Sequence, residues 1–431
     1  MHLPSIETVP KTTRPQQIGF QGLNRLPMVE AGELTAMTNI SPKYAPCLYP
    51  RGPREVAWVL TNGNALFVAN EKLCWVDGTS FYYDGVSKGT VTAGPKSIDE
   101  YFGIILIFPD KKYYNYNTDT FGTISNCPDI KCVCVHNNRA YGVGGNGFYA
   151  SKALDPLTWN YLPVPITNDS SWQVNTGEPG DFTGICVWQD QVIATKAGYT
   201  YELLGDKPSN FKLQKIVEEG CIDYRSLAVV DGVLYMLSPE GYRGYGGAYP
   251  NIVSDKLNEK YVNGVSGTDG TVYYASLYNG AEYNLYVLYK GKWYREDDLH
   301  VIDFARLGND LYALAADNII YKFNSGDESP SWEIESERFT EWHMGMKANL
   351  SVRVMVELEA GAVVDVHCST DDGPYVLWKI ITATGFMSYE MNVKPERCHS
   401  LKIKLVGGGY AKVYGWGREV YAGSTIRGGI S

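Results

Sequence analysis

Carboxylates are the residues of this sequence that could take part in the widest range of reactions, and three of them, Asp297, Asp298 and Asp303, lie close together in the chain. A glycoside hydrolase uses two such groups that face each other across the scissile bond, one as acid and one as base or nucleophile. The spacing of these residues does not indicate that any two converge. We therefore predict no catalytic residues, and a glycan hydrolase is the least favoured function.

The spacing of histidine and cysteine does not indicate a metal site. The nearest approach to one is Asp365 with His367, which an extended strand would place on the same face. Nine cysteines are scattered without a C-x-x-C pair, which favours reduced thiols over a disulfide framework or a zinc ribbon. The glycines at 142 to 147 lie between strands, without a helix whose N-terminus could bind phosphate. We therefore predict no cofactor and no metal.

One segment matches half of the sialidase Asp box, whose pattern is S-x-D-x-G-x-x-W. Ser369 to Gly373 agrees with the first half, but the next tryptophan, Trp378, comes two positions late. The segment also falls outside the repeats described below. A β-turn in which the aspartate accepts hydrogen bonds from backbone amides explains these residues without a ligand.

Two tyrosine clusters could serve in recognition. Tyr113–Tyr116 and Tyr242–Tyr249 could stack on sugar rings or fill a protein interface, although core aromatics would explain them equally well. Trp159 follows a turn-like segment that begins at Ser151. For Trp159 we predict packing between two sheets rather than ligand binding.

The composition indicates an all-β protein without a nucleic-acid-binding role. The chain has 431 residues, of which 13% are aromatic and only 20% charged, and it contains 33 Tyr and 45 Gly. These residues suit pleated sheets and tight turns better than helices. The formal net charge is −10. Because affinity for phosphates comes largely from Lys and Arg, we expect no dedicated DNA binding.

Internal repeats predict the architecture. An apolar strand, a tight polar turn and a second strand recur between Val59 and Leu314. The turns lie near residues 63, 102, 138, 190, 232, 270 and 309, so their mean spacing is about 41 residues, which is typical of propeller blades. With about four strands per repeat, we predict an all-β fold with a seven-bladed β-propeller over residues 56–336. Six or eight blades are the alternatives.

The two ends of the chain differ from the repeats. Residues 1–55 contain eight prolines and little periodicity, which predicts an extended N-terminal arm rather than a packed domain. After the repeats, five strand-like segments separated by Gly-containing turns predict a C-terminal β-sandwich over residues 337–431.

Several segments resemble a family of bacteriophage structural proteins. They are Ile18–Asn24, Gly32–Ser41 and Tyr44–Arg51 near the start, Ile107–Asn115 within the repeats and Gly417–Ser424 near the end. Together they resemble the bacteriophage stabilization protein family, which is similar in fold to the propeller-bearing tail hub or nozzle proteins of short-tailed phages. The resemblance implies a non-enzymatic virion protein that assembles below the portal and helps to retain packaged DNA.

The resemblance also implies partners and a location. The expected partners are further copies of the chain in a ring, taken as a hexamer, and the neighbouring portal, adaptor and tail proteins. Packaged DNA would pass without sequence-specific contact. The expected location is the virion tail or neck, after assembly in the host cytoplasm, and we expect no signal peptide and no membrane anchor because no apolar run is long enough. The main alternative function is a tail propeller that binds host-surface glycans.

The arm carries too many apolar side chains for all of them to remain exposed to water. For residues 34–54 we keep two alternatives of equal weight: the segment docks on the chain's own propeller, or it docks on another protein. For residues 17–28 we predict docking on a neighbouring subunit or virion protein. The assembly candidates in this segment are Ile18, Phe20, Leu23, Leu26 and Met28.

Overall fold

The structure is a computed structural model that describes residues 12–160, 167–341, 344–392 and 397–421. Strands dominate these residues, and the helices among them are two single 3-10 turns. Six short strands precede the first complete sheet, namely β1 (Thr12–Thr13), β2 (Gln16–Ile18), β3 (Leu34–Thr38), β4 (Ile40–Ser41), β5 (Tyr49–Pro50) and β6 (Arg54–Val59). β4 and β5 pair with each other, and the other four join sheets formed by later parts of the chain.

Six four-stranded antiparallel sheets follow in succession, each made from consecutive strands. The first three contain β7 (Gly63–Ala69), β8 (Lys72–Asp77), β9 (Ser80–Tyr83) and β10 (Val86–Thr90); β11 (Ser97–Tyr101), β12 (Ile104–Phe108), β13 (Lys112–Asn115) and β14 (Thr120–Thr123); and β15 (Cys132–His136), β16 (Arg139–Gly144), β17 (Gly147–Ala150) and β18 (Trp172–Asn175).

The fourth sheet contains β19 (Phe182–Trp188), β20 (Gln191–Lys196), β21 (Tyr199–Leu204) and β22 (Lys212–Val217). The 3-10 helix η1 (Tyr224–Ser226) leads to the fifth sheet, with β23 (Ala228–Val230), β24 (Val233–Ser238), β25 (Gly241–Tyr245) and β26 (Asn251–Ile252). The 3-10 helix η2 (Asp255–Leu257) leads to the sixth, with β27 (Asn263–Thr268), β28 (Tyr273–Tyr278), β29 (Tyr283–Tyr289) and β30 (Lys292–Arg295).

The seventh four-stranded sheet is completed by a strand from the N-terminal side. β31 (Val301–Leu307), β32 (Asp310–Ala315) and β33 (Ile319–Phe323) are consecutive, and β6 pairs with β33 as the fourth strand. The pairing places Val59 opposite Ile319 and Arg54 opposite Phe323. The propeller therefore begins at Arg54, two residues before the predicted start at residue 56.

The sheets close into a ring through their first strands. β31 contacts β7, and η1 contacts β19 between the fourth and fifth sheets. Carboxylates reinforce two of the junctions, because Asp303 Oδ2 accepts from the amide of Leu66 at 2.9 Å and Asp99 Oδ2 accepts from the amide of Val135 at 2.7 Å. The prediction of an all-β propeller is confirmed.

Two larger sheets contain the C-terminal part of the chain. Their strands are β34 (Ser331–Ser336), β35 (Lys347–Leu358), β36 (Val363–Thr370), β37 (Val376–Ile381), β38 (Gly385–Asn392), β39 (Arg397–Cys398), β40 (Leu401–Gly408) and β41 (Ala411–Tyr421). Sheet A has the order β1-β41-β35-β38, with β2 on β41 and β39 on β35, and sheet B has the order β3-β34-β40-β36-β37. The predicted domain boundary at residue 336 is wrong, because β34 pairs within sheet B and not within the propeller.

Alternation along the strands creates the core of this C-terminal part. Val352, Val354 and Val356 of sheet A and Val364 and Val366 of sheet B are all buried in one hydrophobic cluster. The same cluster continues into the fifth and sixth propeller sheets. Alternate residues of each strand therefore fill a shared interior, as period-two burial requires.

A buried ion cluster fixes the closing strand β6. Arg54 donates to Asp297 at 2.6 Å and to Glu296 at 2.8 Å, in the segment that follows β30. Arg51 donates to both carboxylate oxygens of Glu328, at 2.7 and 3.0 Å, in the link between the propeller and β34. Burial raises the pKa of Glu296 although Arg54 opposes the shift. The cluster thus joins the N-terminal segment, the propeller and the link to the C-terminal sheets.

Replacing Arg54 by methionine is expected to lower the free energy of unfolding by about 3 kcal/mol or more, because Glu296 and Asp297 would lose a buried cationic partner. Denaturant titration of the purified chain measures this value. Arg14→Met is the control, since Arg14 is mostly exposed in its ion pair with Glu419, and a loss below about 1 kcal/mol is expected. Equal losses for the two variants would contradict the role given to the cluster.

Candidate assembly surfaces

Residues 14–38, here called the strap, begin on the edge of sheet A. β2 pairs with β41, with Gln16 opposite Gly417 and Ile18 opposite Gly415. A Cβ atom at Gly415 would lie 2.2 Å from the carbonyl oxygen of Gln17. Glycine is therefore required at this position for the strap to approach the strand.

The strap then enters the core of its own chain. Phe20 is fully buried, and its ring centroid lies 4.9 Å from that of Trp416 in an edge-to-face arrangement. Leu23 is also buried, and its amide donates to the carbonyl oxygen of Trp293 in the sixth propeller sheet at 2.8 Å. The expectation that Phe20 and Leu23 dock on a neighbouring subunit is therefore wrong, because the C-terminal sheets and the propeller of the same chain already cover them.

A buried carboxylate holds the strap to the propeller. Glu33 is almost fully buried and accepts hydrogen bonds from Asn24 and from Lys256 of η2, each at 2.5 Å. Burial acts to raise the pKa of Glu33, but the hydrogen bonds from Lys256 and Asn24 outweigh it and the pKa lies below its ordinary value. The strap therefore stays attached through a charged contact as well as through apolar burial.

The remaining assembly candidates are exposed to different degrees. Ile18 is 72% exposed and Met28 is 81% exposed, whereas Leu26 is half-buried. These side chains are the part of the predicted arm that is left free to contact another molecule. β3 of the strap pairs with β34, so residues 34–38 dock on the C-terminal sheets of the same chain.

A groove of about 400 Å³ lies on the outer face of sheet A. Its walls carry two ion pairs, Arg14 with Glu419 and Arg353 with Glu390. Ile18 also lines the groove. The lining therefore combines charged groups of both signs with polar and apolar residues.

The apolar edge is the second candidate surface, and it consists of β37 and β38 with the turn between them. β37 is the last strand of sheet B and β38 is the last strand of sheet A. Five large apolar side chains are exposed there: Val376, Leu377, Ile380, Phe386 and Met387. A cavity of about 400 Å³, lined by Trp378 and Met391 among others, lies beside them. Exposed apolar residues on free edge strands are typical of a contact site.

The axis of the propeller holds buried acidic groups. Burial raises the pKa of Asp303 to about 7 and that of Asp99 to about 6, although each carboxylate accepts two backbone amide hydrogen bonds. Tyr224 of η1 lies near Asp303 and packs against the third and fourth sheets. These groups stabilise the ring from inside and were not predicted, because their proximity depends on closure of the ring.

The sequence matches no family model, and no relative was found among curated proteins. Several solved structures are similar at low identity. PorZ of Porphyromonas gingivalis has 12% identity and a TM-score of 0.43, and the match covers 70% of this chain and 45% of PorZ. BamB of Moraxella catarrhalis has 12% identity and a TM-score of 0.39, and the match covers 65% of this chain and 98% of BamB. Hsv2 of Kluyveromyces lactis has 10% identity and a TM-score of 0.38, and the match covers 64% of this chain and 93% of Hsv2. The chain thus spans less than half the length of PorZ. Similarity at this level carries no inference about function.

The other sequence candidates occupy structural positions. Asp297 belongs to the ion cluster at β6, and Asp298 is exposed. Asp365 and His367 both lie on β36, and the described residues contain no group of three or more potential metal ligands. The turn predicted for the partial Asp box is present, with the amide of Gly373 donating to the carbonyl oxygen of Thr370 at 2.9 Å. The carboxylate of Asp371 accepts from the distant amides of His399 and Ser400, both at 2.8 Å.

Most of the aromatic candidates are core residues. Tyr114, Tyr242 and Tyr245 are buried, and Tyr249 is exposed. Trp159 is buried between the second and third sheets, near Phe108, as predicted. All nine cysteines lie in the described part of the chain and are free thiols. Within that part, no helix has the length and apolar character needed to cross a membrane.

Truncation of Phe20 tests the position of the strap. Phe20→Ala is expected to lower the free energy of unfolding by about 3–4 kcal/mol, because it leaves a cavity beside Trp416. Ile18→Ala, two positions away on the exposed side, should cost less than about 1 kcal/mol. Thermal and denaturant unfolding measure both. A loss for Phe20→Ala as small as that for Ile18→Ala would mean that the strap is not part of the chain's own core.

Asp303→Asn tests the axial carboxylate. Its pKa in the folded state, about 7, lies above the unfolded value of about 3.9, so the folded state binds the proton more tightly. The stability that Asp303 contributes is fully present below about pH 4 and is lost as the pH rises towards 7. The variant should therefore gain stability relative to the wild type by roughly 1 kcal/mol per pH unit in that range.

Denaturant titrations at pH 4 to 8 measure this difference. Asp327→Asn, at an exposed carboxylate, is the matched control for a loss of charge outside the axis. A constant difference between Asp303→Asn and the wild type across the range would contradict the raised pKa.

Proposed function

We propose that this protein is a non-enzymatic structural component of a bacteriophage virion, a ring-forming hub or nozzle protein of the neck or tail that helps to retain and pass packaged DNA. The observation that carries the proposal is the apolar edge. The described chain ties its N-terminal strap, propeller and C-terminal sheets to one another, yet leaves five large apolar side chains on two free edge strands. Such an edge serves assembly with another polypeptide better than it serves catalysis.

The placement of the family-like segments supports this assignment. The amide of Gly19 donates to the carbonyl oxygen of Tyr414 at 2.8 Å, and Gln17 lies opposite Trp416. Leu48 pairs with Val413 by a β-bridge. Two of the three segments near the start of the chain thus pack on β41, whose last residues belong to the family-like segment near the end. These segments are therefore parts of one connected unit rather than isolated short motifs.

Charge also supports a passage role for packaged DNA. The formal net charge of −10 gives an overall repulsion of phosphates, so DNA can move past without being held. The propeller axis of a single chain is occupied by side chains such as Tyr224. DNA would therefore pass through the centre of a ring of copies and not through the propeller itself.

The alternative of a glycan-binding tail propeller has less support. Recognition of sugar rings relies on exposed aromatic faces, and Tyr242 and Tyr245 of the predicted cluster are buried. Tyr249 is exposed, but its hydroxyl is hydrogen-bonded to Glu219 at 3.0 Å. Within this cluster, Tyr249 alone therefore offers a small surface on which a sugar ring could stack.

Electron microscopy of purified particles with this protein labelled tests the proposal directly. The label is expected as a ring at the neck or tail, below the portal. Particles assembled without the protein should package DNA and then lose it, because the component that retains DNA is missing. A label on fibres at the tail periphery would instead indicate receptor binding, and full DNA retention without the protein would contradict the proposed role.

A further inference from the structure

The apolar edge brings the last strands of both C-terminal sheets to one side. β37 exposes Val376, Leu377 and Ile380, and the turn after it leads directly to β38, which exposes Phe386 and Met387. Neither strand has a further partner within the described residues, so one edge of each backbone is free for hydrogen bonding. The cavity beside Trp378 extends the apolar surface inwards.

This edge has only part of the usual protection against association, namely one β-bulge at Trp378 of β37. Natural edge strands are kept apart by charges, prolines or bulges. The edge has only two charges within its strands: Glu390 of β38, which is held by Arg353, and Lys379 of β37. Lys379 lies over the ring of Tyr389 and has no ion pair within the described ranges. A matching partner would therefore be an extended apolar segment with an acidic group.

Residues 1–11 of the sequence, Met-His-Leu-Pro-Ser-Ile-Glu-Thr-Val-Pro-Lys, carry the side chains that such a partner needs. Leu3, Ile6 and Val9 are its apolar side chains. The six residues of β37 span about 20 Å, and eleven residues are long enough to follow that strand. Glu7 supplies an acidic group for Lys379.

The point where the described chain begins favours a second copy as the donor. β1 starts at Thr12 and pairs with β41 on one edge of sheet A, whereas β38 is the opposite edge of the same sheet. Within one chain, the segment would have to cross the outer face with its charged groove. A donor at one edge and an acceptor at the other edge instead form a head-to-tail contact, which is the arrangement that closes into rings.

We propose that residues 1–11 of a second copy bind the apolar edge, so that each copy donates its N-terminal segment to one neighbour and accepts that of another. This inference rests on the proposed ring-forming function. It names the two surfaces through which the ring would form, and it assigns Leu3, Ile6 and Val9 to the donor and Ile380 and Phe386 to the acceptor.

The experiment uses two variants of the chain and measures association by sedimentation velocity. The donor variant lacks residues 2–11, and the acceptor variant carries Ile380→Ser and Phe386→Ser. Val86→Ser is the matched control, because Val86 on β10 is 55% exposed and Ile380 is 53% exposed. The wild type and Val86→Ser should form oligomers, whereas each of the other variants alone should be monomeric with its melting temperature nearly unchanged.

Mixing the two monomeric variants gives the decisive result. The donor variant retains an intact edge and the acceptor variant retains residues 1–11, so a one-to-one complex that grows no further is expected. A labelled peptide of residues 1–11 should bind the donor variant, and adding Ile380→Ser and Phe386→Ser to it should weaken binding at least about tenfold. A monomeric wild type, oligomers that persist in either variant, or a mixture without the complex would overturn the inference.

The outcome is independent of the particle experiment. If labelled protein forms a ring in the virion but the mixed variants do not associate, the proposed function stands and the proposed contact fails. If the complex forms but the protein is absent from the virion, the contact stands and the proposed function fails.

Discussion

The pairing of β6 with β33 is the interaction on which the rest of the structure depends. A propeller assembled only from consecutive strands would leave its seventh sheet one strand short, with β33 as an open edge. β6 completes this sheet, and the ion pairs of Arg54 with Glu296 and Asp297 hold it where the sixth and seventh sheets meet. If the strand left, Glu296 and Asp297 would lose the cationic partner that offsets their desolvation.

Closure also explains why the N-terminal segment cannot be a separate arm. Before it reaches β6, the chain passes along β41, under Trp416 and beside Trp293. It therefore contacts both the C-terminal sheets and the propeller. Arg51, in the link to β6, adds an ion pair to Glu328. Apolar burial and paired charges thus act together to join parts that are distant in the sequence.

The sequence was informative where the evidence was local. The turn spacing of about 41 residues predicts propeller repeats, because each repeat carries its own strands and turns. The turn at Asp371 and the packing of Trp159 follow from neighbouring residues in the same way. The predicted C-terminal strands agree with most of β35 to β41, since period-two alternation is itself a local signal.

The errors arose where pairing partners are far apart. β34 follows the last repeat and has a similar alternation, so its membership of sheet B is not visible without its partners β3 and β40. The apolar character of Phe20 and Leu23 correctly indicated burial, but the choice between the same chain and a neighbour depended on Trp416, far along the sequence. Asp303 was noted only as one of three nearby carboxylates, and its axial role was not predicted, because its environment exists only once the ring has closed.

The structure separates the groups that stabilise the fold from those that remain available for contact. The buried charges near β6 and in the strap have partners of opposite sign, and the axial carboxylates accept backbone hydrogen bonds. Val376, Leu377, Ile380 and Met387 of β37 and β38 are exposed, and Phe386 packs against Tyr414 while remaining more than half exposed. A rigid closed body with an open apolar edge is what a component of a larger assembly requires.

Hydrogen exchange of the full chain, followed by mass spectrometry, tests closure most directly. If β6 is an integral strand of the seventh sheet, the amides of Arg54–Val59 that face β33 should exchange as slowly as those of Ile319–Phe323 and open together with them. Rapid exchange of the β6 amides while β33 remains protected would contradict the account, because the propeller would then be closed by something other than its N-terminal strand.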